Sequence, residues 1–160
     1  MHRGKVEKYE RWFAVNATLL ELEVEAIKQL LPPSAKAIEV GVGSGIFASQ
    51  LNIKVGIEPD VEMAAAARKR GIQVISGKAE HIPIPDKSYQ LVLMVTADCF
   101  LNDIVKAFSE IHRILNDHGI FLIAFLDRAT PLGKLYEQKK LTSASYKDAT
   151  FHSAQEIKIS

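Results

Sequence analysis

The chain has 160 residues, 48% hydrophobic and 24% charged, a composition too apolar for disorder and a length that suits one domain with a sizeable core. Twenty Lys and Arg stand against 19 Asp and Glu, a net charge of +1, without the basic excess expected of a nucleic-acid or membrane-surface protein. Cys99 has no second cysteine to pair with, which suits a reducing, cytoplasmic setting. The longest wholly apolar run, 120–126, is far short of the ~20 residues of a membrane span, and residues 1–10 lack a signal peptide's apolar stretch.

Residues 6–31 read as one long helix. Tyr9, Trp12 and Phe13 lie on one side of its first half, Leu19, Leu20, Ile27 and Leu31 continue the apolar face, and Pro32-Pro33 stops it. The run from Ala37 into the glycines reads as a buried strand, 46–51 as a short helix and 53–57 as a second strand. An Ala-rich helix over 61–70 ends at Gly71, where a C′ glycine belongs. Then come a third strand (72–75), a loop with prolines (77–88), a fourth strand (89–95), a helix (103–115), a turn at 116–119 and a fifth strand (120–126). Ser153 and Glu156 have the spacing of a capping box, which announces a helix. Ser160 follows Glu156 by four residues, so that helix is marginal and the sequence reads as a truncation or as a short relative of a longer protein.

Strands alternating with helices predict an α/β fold with a mostly parallel sheet covered on both faces. Right-handed crossovers make it a Rossmann-like, doubly wound sheet. One domain is expected, with 1–33 as a helical cap, 36–126 as the core and 127–160 as a partial C-terminal region. Ligands of such sheets sit beyond the carboxyl ends of the strands, so the loops after Val42, Glu58, Gly77, Val95 and Leu126 line the expected site.

The segment Glu39-Val-Gly41-Val-Gly43-Ser-Gly45 joins the first strand to its helix. Glycines there permit a tight turn and a close ligand, and the following helix N-terminus offers free N–H groups. A dinucleotide fingerprint anchored at Gly41 needs a small residue where Ile46 stands. Seventeen residues beyond Gly41, Glu58 closes the second strand, where both carboxylate oxygens can accept from a ribose diol.

With Ala79, Glu80, Pro83, Asp86, Ser88 and Tyr89 before the fourth strand, and Ala107-Phe-Ser-Glu-Ile-His-Arg113-Ile-Leu…Gly119 after it, the sequence resembles class I S-adenosylmethionine-dependent methyltransferases of the broad small-molecule, type 11-like group, over roughly 37–126. The resemblance implies S-adenosylmethionine as cofactor and a small-molecule acceptor. It implies that Glu39 and the Gly41, Gly43 and Gly45 turn hold the methionine moiety, and that Glu58 takes the ribose hydroxyls. Pro59 and Met63 would lie near the adenine, and the backbone at Lys78 and Ala79 would meet its edge. Val95 and Thr96 would flank the methionine part and open onto the acceptor. Lys78 replaces the family's usual aspartate and has no acceptor atom. Gln90 and Asp117-His118 are further departures. The family's closing antiparallel hairpin has no residues left to build it after Ser160, which would leave the fifth strand as an exposed edge open to self-association.

Methyl transfer from a sulfonium needs positioning and water exclusion more than an acid–base pair. Asp98, after the fourth strand, is the candidate for orienting an amine or for a helix cap. Cys99 reads as a small buried hydrophobe. Tyr9, Trp12 and Phe13 read either as core or as a lid over the cofactor. His81 reads as surface, His112 and His152 carry no assigned role, and no His/Cys/Asp spacing predicts a metal site. The alternatives to a methyltransferase are a nicotinamide-dependent Rossmann domain and a non-catalytic, degenerate nucleotide-binding module.

Overall fold

The computed structural model describes residues 4–159. Residues 1–3 and 160, on which parts of the leader and chain-end readings fall, lie outside the described residues. The predicted N-terminal helix is two helices, α1 (Lys5–Val15) and α2 (Ala17–Leu30). Asn16 makes the break: its backbone N–H and its side-chain Nδ2 both donate to the Trp12 carbonyl, at 3.0 and 2.8 Å. An asparagine that bonds its own backbone competes with helix continuation.

The core follows as β1 (Ala37–Val40), α3 (Ile46–Gln50), β2 (Val55–Ile57), α4 (Val61–Lys69), β3 (Gln73–Ile75), β4 (Tyr89–Val95), α5 (Ile104–Ile114) and β5 (Leu115–Ala124). Asp60 caps α4 through its Oδ1, which accepts from the Met63 N–H at 3.0 Å, and Gly71 at φ +84° ends that helix as expected. The five strands form one all-parallel sheet in the order β3-β2-β1-β4-β5. Helices α2, α3 and α4 cover one face, where Val24, Ile27, Phe47, Ala67 and Leu93 are buried together. On the other face α5 and the loop before β4 bury Ile38, Val92, Met94, Ile111 and Ile114. Each of the larger side chains among these contributes roughly 1.5–3 kcal/mol through removal from water, and Ala67 less. The alternation along β4, Leu91 and Leu93 to one face and Val92 and Met94 to the other, explains a continuous apolar run that is still a strand.

The expected turn at 116–119 lies inside β5. The ladder passes from Tyr89↔Leu115 directly to Leu91↔Ile120, so Asn116–Gly119 form a bulge that leaves the pairing and rejoins it. Gly119 folds back so tightly that a Cβ there would lie 2.8 Å from Leu115. The strand also ends at Ala124 rather than 126. Helix α6 (Pro131–Lys139) was not foreseen, although Thr130 caps it by accepting from the Gly133 N–H at 3.1 Å and Pro131 opens it. The capping box is real: in α7 (Ala154–Ile159) the Glu156 N–H donates to Ser153 Oγ at 3.2 Å and the Ser153 N–H donates to the Glu156 carboxylate at 2.7 Å. Among the described residues no helix is long and apolar enough to cross a membrane.

Arg113 on α5 ties the loop before β4 to the helix. It donates to the Ile82 and Ile84 carbonyls at 2.8 Å each and pairs with Glu110 (2.8 Å) and Asp86 (2.7 Å). Glu110 also accepts from the Ile82 N–H at 2.8 Å. The Arg113 hydrogen bond holds the Glu110 carboxyl down at about 2, from 4.5. The pair's stabilisation is therefore present above about 4.5 and is lost as pH falls toward 2. Arg113→Met is expected to destabilise the fold by about 1–3 kcal/mol near neutral pH, the cost of stranding several charge-assisted bonds. The difference from the wild type in urea unfolding shrinks below pH 4 (roughly the unfolded carboxyl range).

Candidate functional site

The turn after β1 is built from left-handed residues: Gly41, Gly43 and Gly45 have φ of +78°, +56° and +82°. The N–H groups of Gly41 and Val42 both donate to the Ile57 carbonyl at the end of β2, at 2.9 and 3.0 Å. A Cβ on Gly41 would meet Ala97 Cβ at 2.7 Å, and one on Gly45 would meet Ala67 at 3.2 Å. Gly43 differs, since a Cβ there would have just the Tyr9 ring nearby, its hydroxyl at 3.7 Å. The turn is packed at both ends and open at its middle.

Glu58 is buried at the tip of β2 and anchors this turn. One carboxylate oxygen accepts from the Gly43 N–H at 2.8 Å, the other from the Asp60 N–H at 2.9 Å. Each oxygen keeps a further lone pair. Glu39, one residue before the end of β1, is 2% exposed, and its Oε2 has no hydrogen-bond partner. Burial drives its carboxyl well above the usual range; the Ala48 backbone opposes the shift and the nearby Glu58 adds to it. Ser44 Oγ is likewise buried without a partner. Pro59 is exposed, Met63 is buried under the start of α4, Lys78 is exposed, and Ala79 is buried with the β4-side core.

Helix α1 crosses this region. Lys5 pairs with Asp60 at 2.5 Å and Glu10 with Arg70 at 2.9 Å, one at each end of α4. Phe13 stands edge-on to Phe47, ring centres 5.6 Å apart, and joins the core, while Tyr9 packs edge-on to Phe13 and turns its hydroxyl toward Gly43. Burial, with the charges of Glu39 and Glu58, raises that hydroxyl's pKa. Trp12 is 41% exposed and packs edge-on to Phe13, its ring centre 5.0 Å from that of Phe13.

Beyond β4, Val95 leads into Thr96, whose φ of +50° is strained for a threonine and is held by its N–H donating to the Ala124 carbonyl at 2.7 Å. Both line a cavity of about 230 Å³ between α2 and β5, together with Glu23, Ile27, Leu122 and Leu126. A larger hollow of about 660 Å³ between α1, α2 and α3 touches Phe13 and Gln50 and none of the acidic groups Glu39, Glu58 or Asp98. Asp98 begins a short 3₁₀ turn (Asp98–Phe100) and is 1% exposed. Its Oδ2 lies 3.3 Å from His152 Nδ1 and its Oδ1 has no partner. Burial raises its pKa, and His152 works in the opposite direction. Cys99 is buried as expected; burial and then the Asp98 charge push its thiol up to about 12, away from any nucleophilic role.

The turn, Glu39, Glu58 and Tyr9 thus meet around the carboxyl ends of β1 and β2, while Thr96 follows the end of β4 and lines the separate cavity. His152, assigned no role from the sequence, stands beside Asp98; it is 54 residues away in the chain and no local signal connects them. Pro59 and Lys78 remain at the surface.

The N–H groups of Gly41, Val42, Gly43 and Gly45 are spent within the fold, so what the site offers a ligand is Glu39, an unsatisfied buried acceptor, and the spare acceptor capacity of Glu58. Together they suit a ligand bearing both a cationic group and vicinal hydroxyls. A family model described as a methyltransferase domain matches residues 38–123. An uncharacterized protein of Methanocaldococcus jannaschii is 41% identical over 94% of this chain and 73% of its own length. An uncharacterized protein of Mycobacterium tuberculosis is 33% identical over 93% of this chain, which spans about half (54%) of that protein. The crystal structure of an S-adenosylmethionine-dependent methyltransferase of Thermotoga maritima, described as a possible histamine N-methyltransferase, superposes with a TM-score of 0.93 at 44% identity, over 96% of this chain and 74% of that one.

A raised Glu39 stabilises the folded state below the unfolded carboxyl value of 4.5, and that contribution is lost as pH rises through the raised folded value. Glu39→Gln, which cannot ionise, is therefore expected to melt at or above the wild-type temperature, with an advantage that widens from pH 4 to pH 8 (spanning roughly the carboxyl and physiological ranges). A variant that melts below the wild type throughout that range contradicts this reading of the buried acid.

Proposed function

The chain belongs to the methyltransferase-domain family, with S-adenosylmethionine as its cofactor, and from that premise we propose that it transfers the cofactor's methyl group to a small-molecule acceptor. When bound, the cofactor would supply a sulfonium methyl activated for in-line transfer to an acceptor's lone pair, with S-adenosylhomocysteine as the leaving thioether. The chain's own part is to bind, orient and keep water out.

The carrying observation is the pair of buried acids at the ends of β1 and β2. Glu39 Oε2 lacks any donor, so the cofactor's ammonium would complete it directly or through one water. Glu58 spans from the Gly43 N–H to the Asp60 N–H, and its remaining lone pairs would accept the ribose hydroxyls. Gly41 and Gly45 keep the turn's shape, and Gly43 leaves the approach open for the methionine part. Pro59 and Met63 would flank the adenine. Lys78 presents no side-chain acceptor, so the adenine edge would rest on backbone at Lys78 and Ala79. Val95 and Thr96 would stand between the methionine part and the cavity of about 230 Å³, which is the acceptor's entry. Tyr9 on α1 covers the turn as a lid element, with Lys5–Asp60 and Glu10–Arg70 holding α1 over α4.

The exposed Lys78 favours a second reading, a nucleotide-binding module without turnover, because it removes an expected adenine contact. Calorimetry separates the readings. S-adenosylhomocysteine is expected to bind and a nicotinamide dinucleotide is not, while methyl release from labelled S-adenosylmethionine with an acceptor mixture distinguishes enzyme from module. Glu58→Ala and Glu39→Gln are each expected to weaken S-adenosylhomocysteine by about 1–3 kcal/mol, the worth of charge-assisted bonds in a partly dry site. Unchanged affinity in both variants would remove the acids from the site.

A further inference from the structure

We propose that Asp98, through its unpartnered oxygen Oδ1, anchors a protonated amine of the acceptor, a group distinct from the lone-pair atom that takes the methyl. The inference rests on the methyltransferase reading for the word acceptor and on independent residues for the subsite itself. Asp98 is 1% exposed, and a carboxylate that deep needs its acceptor sites filled. His152 Nδ1 reaches Oδ2 at a long 3.3 Å, and no donor reaches Oδ1. The imidazole meets one carboxylate oxygen and leaves the other open to a ligand's donor. A ligand cation supplies what is missing.

The neighbours of Asp98 are apolar and aromatic. Cys99 and Phe151 are buried beside Asp98 and His152, with Tyr136, Tyr146 and Leu126 packed against them. Phe100 stacks on Tyr146 at 6.2 Å between ring centres, and Tyr136 meets Tyr146 edge-on at 5.4 Å. Aromatic walls favour a cation over a neutral or anionic group of the same shape. Leu126 also lines the cavity that opens past Val95 and Thr96, so the aromatic cluster adjoins the proposed entry. A carboxylic-acid acceptor would meet the Asp98 charge, and an alcohol would leave it uncompensated. The specificity follows from the partner each acceptor leaves for one buried oxygen.

The test uses the full chain saturated with S-adenosylhomocysteine and three probes of one shape: phenethylamine, 2-phenylethanol and phenylacetate. Calorimetry is expected to give at least tenfold tighter binding of the amine than of the alcohol, and the weakest binding for the acid. Asp98→Asn is expected to erase the preference for the amine while S-adenosylhomocysteine affinity stays within twofold. Glu58→Ala, in contrast, is expected to weaken S-adenosylhomocysteine and keep the preference. Equal binding of the three probes to the wild type, or no amine binding, overturns the subsite whether or not Asp98→Asn folds. An amine preference that survives in folded Asp98→Asn also overturns it. Failure of S-adenosylhomocysteine to bind, with the amine preference intact, overturns the methyltransferase reading and leaves the subsite standing.

Discussion

The site depends on one backbone arrangement, the turn after β1 clamped onto the tip of β2. Two consecutive N–H groups, of Gly41 and Val42, share the Ile57 carbonyl, and Glu58 reaches across to the Gly43 N–H. Gly56 makes the clamp possible. It pairs with Glu39 in the sheet, and a Cβ on it would lie 2.6 Å from Val42. The absent side chain is the space that Val42 fills, and Val42 in that space brings the turn against β2. Left-handed conformation at three glycines then gives a loop whose ends are packed and whose centre faces outward.

The arrangement was legible in the sequence where its requirements are local. Glycine spacing, the acid at the end of the second strand, the Gly71 stop and the Ser153–Glu156 box each follow from backbone chemistry within a few residues. The parallel sheet was legible because strands buried on both faces lose their alternation. What escaped has a common cause in competition between two local tendencies or in long range. Asn16 sits in an apolar periodicity that continues through it, and the periodicity hides the break that its side chain makes. Asn116–Gly119 carry turn residues, and they do leave the ladder, but Leu115 ahead of them already pairs with Tyr89, so the turn became a bulge within a strand. The pairing of Asp98 with His152 depends on how residues 127–152 return across the end of the sheet, and no spacing within the sequence encodes that.

The N-terminal helices are fixed to the core by different means along their length. Phe13 enters the hydrophobic cluster beneath α3, whereas Lys5 and Glu10 meet Asp60 and Arg70 by partly exposed ion pairs. Exposed pairs contribute little, typically under about 1 kcal/mol each. The hold on α1 therefore rests on its aromatic contacts, Phe13 against Phe47 and Tyr9 against Phe13 and the glycine turn.

The buried polar atoms have a consistent placement. Glu39 Oε2, Ser44 Oγ and Asp98 Oδ1 lack partners, and all three lie at or just beyond the carboxyl ends of β1 and β4. On the opposite side of the fold, Arg113, Glu110, Asp86 and the carbonyls of Ile82 and Ile84 satisfy one another. A chain able to build that network has the means to satisfy three more atoms. Leaving an acceptor buried and unfilled costs roughly 1–3 kcal/mol each, a penalty that a ligand's donors remove on binding. Binding energy at such a site comes partly from relieving the unliganded protein, so affinity and stability at these positions oppose each other. Substitutions that stabilise the empty fold at Glu39 or Asp98 act by weakening its reason to hold a cation.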